Sequence, residues 1–205
     1  MSAVLNPETA AQDATLHQIQ NRVLWLAMQM IAHANQTRTG PDGVKVGGHM
    51  ASSASIVTIL TYLFFDYLRA DDRIAVKPHA SPVYHAIQFL LGNLAPEHLK
   101  SLREFQGLQS YPSRMKDPDG VHFSTGSMGL GAAAPNFAAL TEEYARMHFG
   151  AAGCRERRYV SLVGDAELDE GAVWEAIAEP ALMDLKNLLW VVDLNRQSLD
   201  RVIPG

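Results

Sequence analysis

Cysteine is nearly missing from this chain: Cys154 is the single one in 205 residues. That excludes an internal disulfide and any cysteine-rich metal site, and Cys154 itself reads as a bystander thiol in a loop before a strand. Excess positive charge is missing too. A net charge of −5 and a pI near 5.9 argue against a nucleic-acid or anionic-membrane surface. No apolar run is long enough to span a bilayer, since the most apolar one, residues 56–68, is too short and contains Asp66. The first residues, MSAVLNPETAAQDAT, lack the basic and apolar regions of a secretory signal, so a cytoplasmic protein is expected. Internal repeats and low-complexity segments are also lacking. The composition, 47% hydrophobic and 19% charged, suffices for one α/β domain with a real core.

The most informative stretch is residues 159–199. Residues 159–163 (YVSLV) have the apolar, partly β-branched character of a buried strand. Gly164-Asp165-Ala166-Glu167 breaks it, and residues 168–183 carry helical spacing through Leu168, Val173, Ile177 and Leu182. Residues 188–192 form a second buried strand, closed by Asp193-Leu194-Asn195-Arg196-Gln197. A right-handed βαβ crossover places both strand C-termini on one sheet edge, so Asp165 and Asn195 are expected side by side. A carboxylate and an amide oxygen on adjacent loops, with a carbonyl nearby, suit Mg²⁺, which completes its octahedral shell with substrate phosphates. Strand-end crevices are also where α/β sheets bind ligands. The plainer alternative is an ordinary βαβ unit with an acidic loop.

Elsewhere the chain predicts a helix over 15–34, with Leu16, Ile19, Val23, Ala27, Met30, Ile31 and Ala34 on one face. A loop follows over 36–48, then Gly47-Gly48-His49 leads into a helix over 53–69, where backbone N–H groups can meet an anion. His49 is there either a helix cap or a group facing a ligand. Residues 73–77 form the first strand. Pro78-His79-Ala80-Ser81-Pro82 opens a helix to Leu91, with Pro82 at its first position and Gly92 as its stop. His79 thereby falls on the same edge as Asp165. Residues 96–105 read as a short packing helix. The Gly-rich run 124–131 opens a helix through about His148, again with small residues near a positive helix end.

The segment GDAE with a later Asn-x-Gln resembles the thiamine-diphosphate motif. In that family the Asp, the Asn and a main-chain carbonyl two residues on hold the metal, which implies Asp165, Asn195 and Gln197 here. Gly164, Ala166 and Glu167 come with the same motif, Ala166 standing where Gly is usual, which predicts slight crowding of the diphosphate. GGHMAS resembles the segment bearing an active-site His and a cofactor-contacting Ser in homodimeric pyruvate dehydrogenase first components, implying His49 and Ser52. PHASP resembles their Gly-His-x-Ser-Pro, implying His79 as a diphosphate contact. Lys77 and Pro78 depart from the usual Gln-Gly, and Lys77 either supplies a charge in place of the amide or points to solvent. GLQSYP implies Tyr111, and SMGLG implies Gly126, Ser127 and Met128. Glu170 is either at a dimer interface, as in these enzymes and in transketolases, or at a solvated surface.

The resemblance runs from about residue 21 to 202 and implies a parallel sheet flanked by helices, the thiamine-diphosphate-binding fold. Residues 1–20 are then an N-terminal extension and 21–205 a diphosphate-binding domain, incomplete because the chain stops soon after the metal loop. The implied function is the thiamine-diphosphate- and Mg²⁺-dependent decarboxylating component of a 2-oxo-acid (pyruvate-like) dehydrogenase complex, with His49 and His79 as catalytic candidates. Its implied partners are a small 2-oxo acid, a homodimer mate or complementary aminopyrimidine-binding domain or chain, and an acyltransferase core. Alone the chain is expected to lack turnover, because the cofactor-activating Glu of this family lies on the second domain. The alternatives are a transketolase-type two-carbon transferase and a non-catalytic partner subunit.

Overall fold

The computed structural model describes residues 7–37, 46–126, 129–150 and 157–196. In chain order they form α1 (Pro7–Thr37), α2 (Met50–Ala54), α3 (Val57–Tyr62), β1 (Arg73–Ala75), α4 (Ser81–Leu90), α5 (Leu130–Phe149), β2 (Tyr159–Gly164), α6 (Gly171–Ile177) and β3 (Leu188–Asp193). The three strands make one parallel sheet in the order β1-β2-β3. Its register pairs Ile74 with Val160 and Val160 with Leu189, and at the far end Gly164 with Asp193.

Side-chain alternation divides the sheet between two helical layers. Ile74, Val76, Val160 and Leu162 pack on Val23, Ala27, Ile56, Leu60, Val83 and Ile87 from α1 through α4, with Leu189 and Val191 extending that layer. Val163 points the other way, with Ala132, Val173, Leu168 and Trp190. There Ser161, fully buried, donates to the Ala132 carbonyl at 2.5 Å. Cover on both faces explains why β2 is buried along nearly its whole length and reads as a continuous apolar run.

The expected helix over 15–34 is longer, because its buried stripe of Val23, Ala27, Met30, Ile31 and Ala34 sits inside a continuous α1. The expected helix over 53–69 is broken. Its chain leaves regular α geometry after Ala54 and ends in a π-helical turn, Leu63–Tyr67. Residues Met50–Tyr67 have the length and mean hydropathy (1.2) of a membrane-crossing helix, but Ile56, Leu60 and Leu63 of these short pieces fill the core. The expected helix over 96–105 shrinks to a 3-10 turn, Pro96–Lys100. Leu102 then bridges Leu108 and both are buried, with left-handed Arg103 and Gln106 (φ 59 and 61) making the turn between them. The expected helix over 168–183 is α6 flanked by 3-10 turns Asp165–Asp169 and Pro180–Leu182, since Pro180 has no N–H to continue it.

The N-terminal ends of β1 and β2 are tied by charge. Asp72, 2% exposed, accepts from the Arg158 Nε at 2.7 Å and from the Arg158 and Arg69 backbone N–H groups at 2.8 and 2.9 Å. Burial alone would raise the carboxyl, but these bonds outweigh it and hold its pKa below the ordinary value. The outer edge of β1 is blunted by His122, whose Nδ1 accepts the Ile74 N–H at 3.1 Å. Burial, then the charges of Arg73 and Arg114, push the His122 pKa down to about 4.

An unfolded His titrates near 6.5 and this one near 4, so the unfolded chain binds the proton first. The His122 contribution is therefore full above about pH 6.5 and is lost as pH falls toward 4. His122→Asn keeps an acceptor without the titration, so denaturant unfolding should show a flatter stability profile across that window. Part of the slope remains, because His79 is shifted in the same direction. A second test lies at Gly129, where φ is +71 and an added Cβ would come within 2.6 Å of buried Val173. Gly129→Ala should cost about 1–3 kcal/mol, read as a lower thermal midpoint.

Candidate functional site

The C-terminal ends of the three strands carry His79, Asp165 and Asn195 to one edge. Asp165 follows β2, and Asn195 follows β3 in the neighbouring ladder position. Asp165 is 9% exposed. One oxygen accepts the Ala166 N–H at 3.0 Å and the other accepts the Arg196 N–H at 2.7 Å. Two loops from adjacent strands are thus joined through one carboxylate, at the residue after Asn195. Arg196 sits in the left-handed region at φ 57, which costs a non-glycine residue about 1–2 kcal/mol, so the Asp165 bond holds a strained turn in place.

The Asn195 amide donates from Nδ2 to Ser55 Oγ at 3.2 Å and to Asp193 Oδ2 at 3.3 Å. Among the described residues, no group of three His, Cys, Asp or Glu is placed to hold a metal. A set of one carboxylate, one amide oxygen and one carbonyl does not require such a group. The third candidate, Gln197, lies outside the described residues, as do Ser127 and Met128 of the Gly-rich loop.

Glu167 turns back on its own strand end, accepting the Gly164 N–H at 2.8 Å. Burial raises its pKa to about 6, against the opposing pull of that N–H and of Lys77. Ala166 is not among the residues with positive φ, so its backbone has no need of glycine there and only the methyl's bulk distinguishes it. Gly126 has open space around its Cα. Glu170 is half-buried at the start of α6, its Cβ near Gly129.

His79 and Tyr111 meet edge to face, with ring centroids 5.8 Å apart. Burial, then the charges of Lys77, His49 and Arg103, lower the His79 pKa. At neutral pH His79 is therefore an uncharged imidazole. Its main-chain carbonyl accepts from Ser53 Oγ at 3.0 Å. The serine buried next to this loop is thus Ser53, while the expected Ser52 is half-buried and lends its carbonyl to Ser55.

His49 precedes α2 in an extended conformation, exposed, and makes no capping hydrogen bond. The capping reading of that residue therefore fails. The glycines before it also differ from expectation. The Gly47 N–H is taken by Asn35 Oδ1 at 2.6 Å, and α2 is only five residues long, so this pair forms no anion nest. Gly48 (φ +91) instead lets the chain pass Arg103, whose guanidinium would lie 2.9 Å from an added Cβ. Arg103 in turn donates to the Val46 carbonyl at 3.1 Å. The sequence reading passed over Arg103, and also over Ser55 and Asp193.

Lys77 is not at a solvated surface, one of the two placements open from sequence. It is 4% exposed and its Nζ lies 2.5 Å from Asp193 Oδ2. A cavity of about 610 Å³, lined by Phe64, Arg69, Asp72, Tyr84, Gln88 and His122 among others, lies at the opposite, N-terminal end of the strands. It holds none of the candidate residues, and α/β sheets bind ligands at the carboxyl ends.

Comparison with known proteins bears on this edge. A model of the family "Transketolase, thiamine diphosphate binding domain" matches residues 17–203. The pyruvate dehydrogenase E1 component of Cupriavidus necator is 32% identical over 198 residues, 92% of this chain and 21% of that protein. Its Escherichia coli counterpart is 31% identical over 196 residues, 91% of this chain and 21% of that protein. This chain thus spans about a fifth of the length of the curated relatives it matches. The solved transketolase from Leishmania mexicana covers 90% of this chain and 28% of its own length, with a TM-score of 0.77 at 22% identity; that likeness concerns the fold alone. A match along nearly the whole described sheet and its flanking helices leaves one assignment: the chain belongs to the transketolase-type thiamine-diphosphate-binding domain family.

Proposed function

We propose that this chain supplies the diphosphate-binding half of a thiamine-diphosphate- and Mg²⁺-dependent component that decarboxylates a 2-oxo acid of the pyruvate type. The observation that carries the reading is the Asp165 carboxylate bound to the Arg196 N–H at 2.7 Å, which brings a carboxylate to the Asn195 loop. Asp165, the Asn195 amide oxygen and the main-chain carbonyl of Gln197 would hold the metal. His79, uncharged, and Tyr111 would donate to diphosphate oxygens. Ser52 and the loop through Gly126, Ser127 and Met128 would line the cofactor, as would Gly164, Ala166 and Glu167. His49, exposed and without a cap bond, is the side chain left to orient the oxo acid and to move a proton beside the reacting carbon. The bound cofactor supplies the electron sink for decarboxylation.

Residues 21–205 are taken as this domain, and the complementary aminopyrimidine-binding half comes from a second domain or chain. The curated relatives, 31–32% identical, favour the 2-oxo-acid reading. Two-carbon transfer of the transketolase type is the second reading, because the matching family model carries that name as well.

Calorimetric titration of thiamine diphosphate with Mg²⁺ tests the site. Asp165→Ala should weaken binding at least about tenfold, equivalent to about 1.4 kcal/mol. Binding indifferent to that change would point to a non-catalytic partner subunit. The chain alone should not turn over. Joined to an aminopyrimidine-binding half, it should consume pyruvate or 2-oxobutanoate with an electron acceptor; consumption of xylulose 5-phosphate with ribose 5-phosphate instead would establish the transferase.

A further inference from the structure

Lys77 and Asp193 lie at the carboxyl ends of β1 and β3, strands that are not neighbours, because β2 runs between them. The Lys77 side chain crosses the end of β2. A Cβ built on Gly164 would lie 3.8 Å from the Lys77 Cδ. Beyond it, Nζ reaches Asp193 Oδ2 at 2.5 Å, with both side chains nearly sealed from solvent at 5% and 7% exposure. The same carboxylate oxygen accepts Ser55 Oγ at 2.7 Å and Asn195 Nδ2 at 3.3 Å. Asn195 also reaches Ser55 at 3.2 Å. One acceptor therefore gathers donors from the β1 end, the turn after α2 and the β3 loop.

We propose that the Lys77–Asp193 pair is a strut that fixes the Asn195 loop, making Lys77 a positioning residue and not a ligand of the diphosphate. Its charge is matched and its ammonium is buried beneath the loops, so it has no reach to an anion above them. A buried pair of this kind is strongly disturbed by removing one partner, because the other is left as an uncompensated buried charge, whereas neutralising both removes that penalty. The consequence for metal binding rests on the assignment of Asn195 made above; the strut itself does not.

Hydrogen exchange at the Arg196 amide, followed by NMR on the chain without cofactor, reads the strut directly, because that N–H is bound to Asp165. Lys77→Gln and Asp193→Asn should each speed this exchange at least about tenfold. The double variant, Gln facing Asn, should return it to within about threefold of the parent chain. Unchanged exchange in both single variants overturns the proposal, as does a double variant in which the two effects simply multiply. Should the single variants fail to fold, the double variant decides: folded with slow exchange supports the strut, and unfolded or fast-exchanging overturns it. The Mg²⁺-dependent titration of thiamine diphosphate is run on the same samples. If Asp165→Ala leaves binding intact while Arg196 exchange follows the expected pattern, the strut stands and the metal assignment falls. If Asp165→Ala abolishes binding but exchange ignores Lys77 and Asp193, the strut falls and the assignment stands.

Discussion

The bond from the Arg196 N–H to the Asp165 carboxylate is the contact on which this edge of the molecule depends. Parallel pairing sets β2 and β3 in register to Gly164 and Asp193, so the chain leaves both strands at the same height. Nothing in the ladder compels the two loops to meet after that. A carboxylate with two oxygens can satisfy its own loop through Ala166 and the next loop through Arg196. The left-handed turn at Arg196 is affordable only because that second bond holds it. Asp165 is thus both a structural staple and, in the proposed function, a metal ligand; its two oxygens have further lone pairs for that second role.

Much of this was legible in the sequence. Three strands, their parallel direction and the edge that gathers His79, Asp165 and Asn195 follow from apolar runs, turn residues and the handedness of crossovers. These features are local or set by topology. Pro82 within the first turn of α4 and Gly92 at its stop, with φ +80, were equally readable, because each residue imposes its own backbone constraint.

What escaped the sequence is set by long-range contacts. The helical pattern after residue 53 runs on unbroken, yet Ser55 spends its hydroxyl on Asp193, distant in the chain, and the helix divides there. Leu102 and Leu108 continue a helical spacing on paper, but a buried cluster with Met30, Ile31 and Leu94 draws them together across a tight turn. Lys77 shows the limit most sharply. Its type announced a departure from the resembling enzymes, but the choice between solvent and interior depended on a carboxylate two strands away. A parallel sheet makes such partners from residues that no short window contains.

Charge at the strand ends follows from how each acid is occupied. Asp193 is matched by Lys77, Glu167 is turned onto the Gly164 N–H, and Asp165 is shared between two backbone donors. The acids are therefore engaged inward, while His49 is exposed and lies with Arg103 around an uncharged His79. These three carboxylates are thus occupied by donors of the chain itself, although Asp169 on the same turn is exposed. Were Lys77 directed outward, Asp193 would be left as an uncompensated buried charge beside Asn195. The inward ion pair avoids that cost.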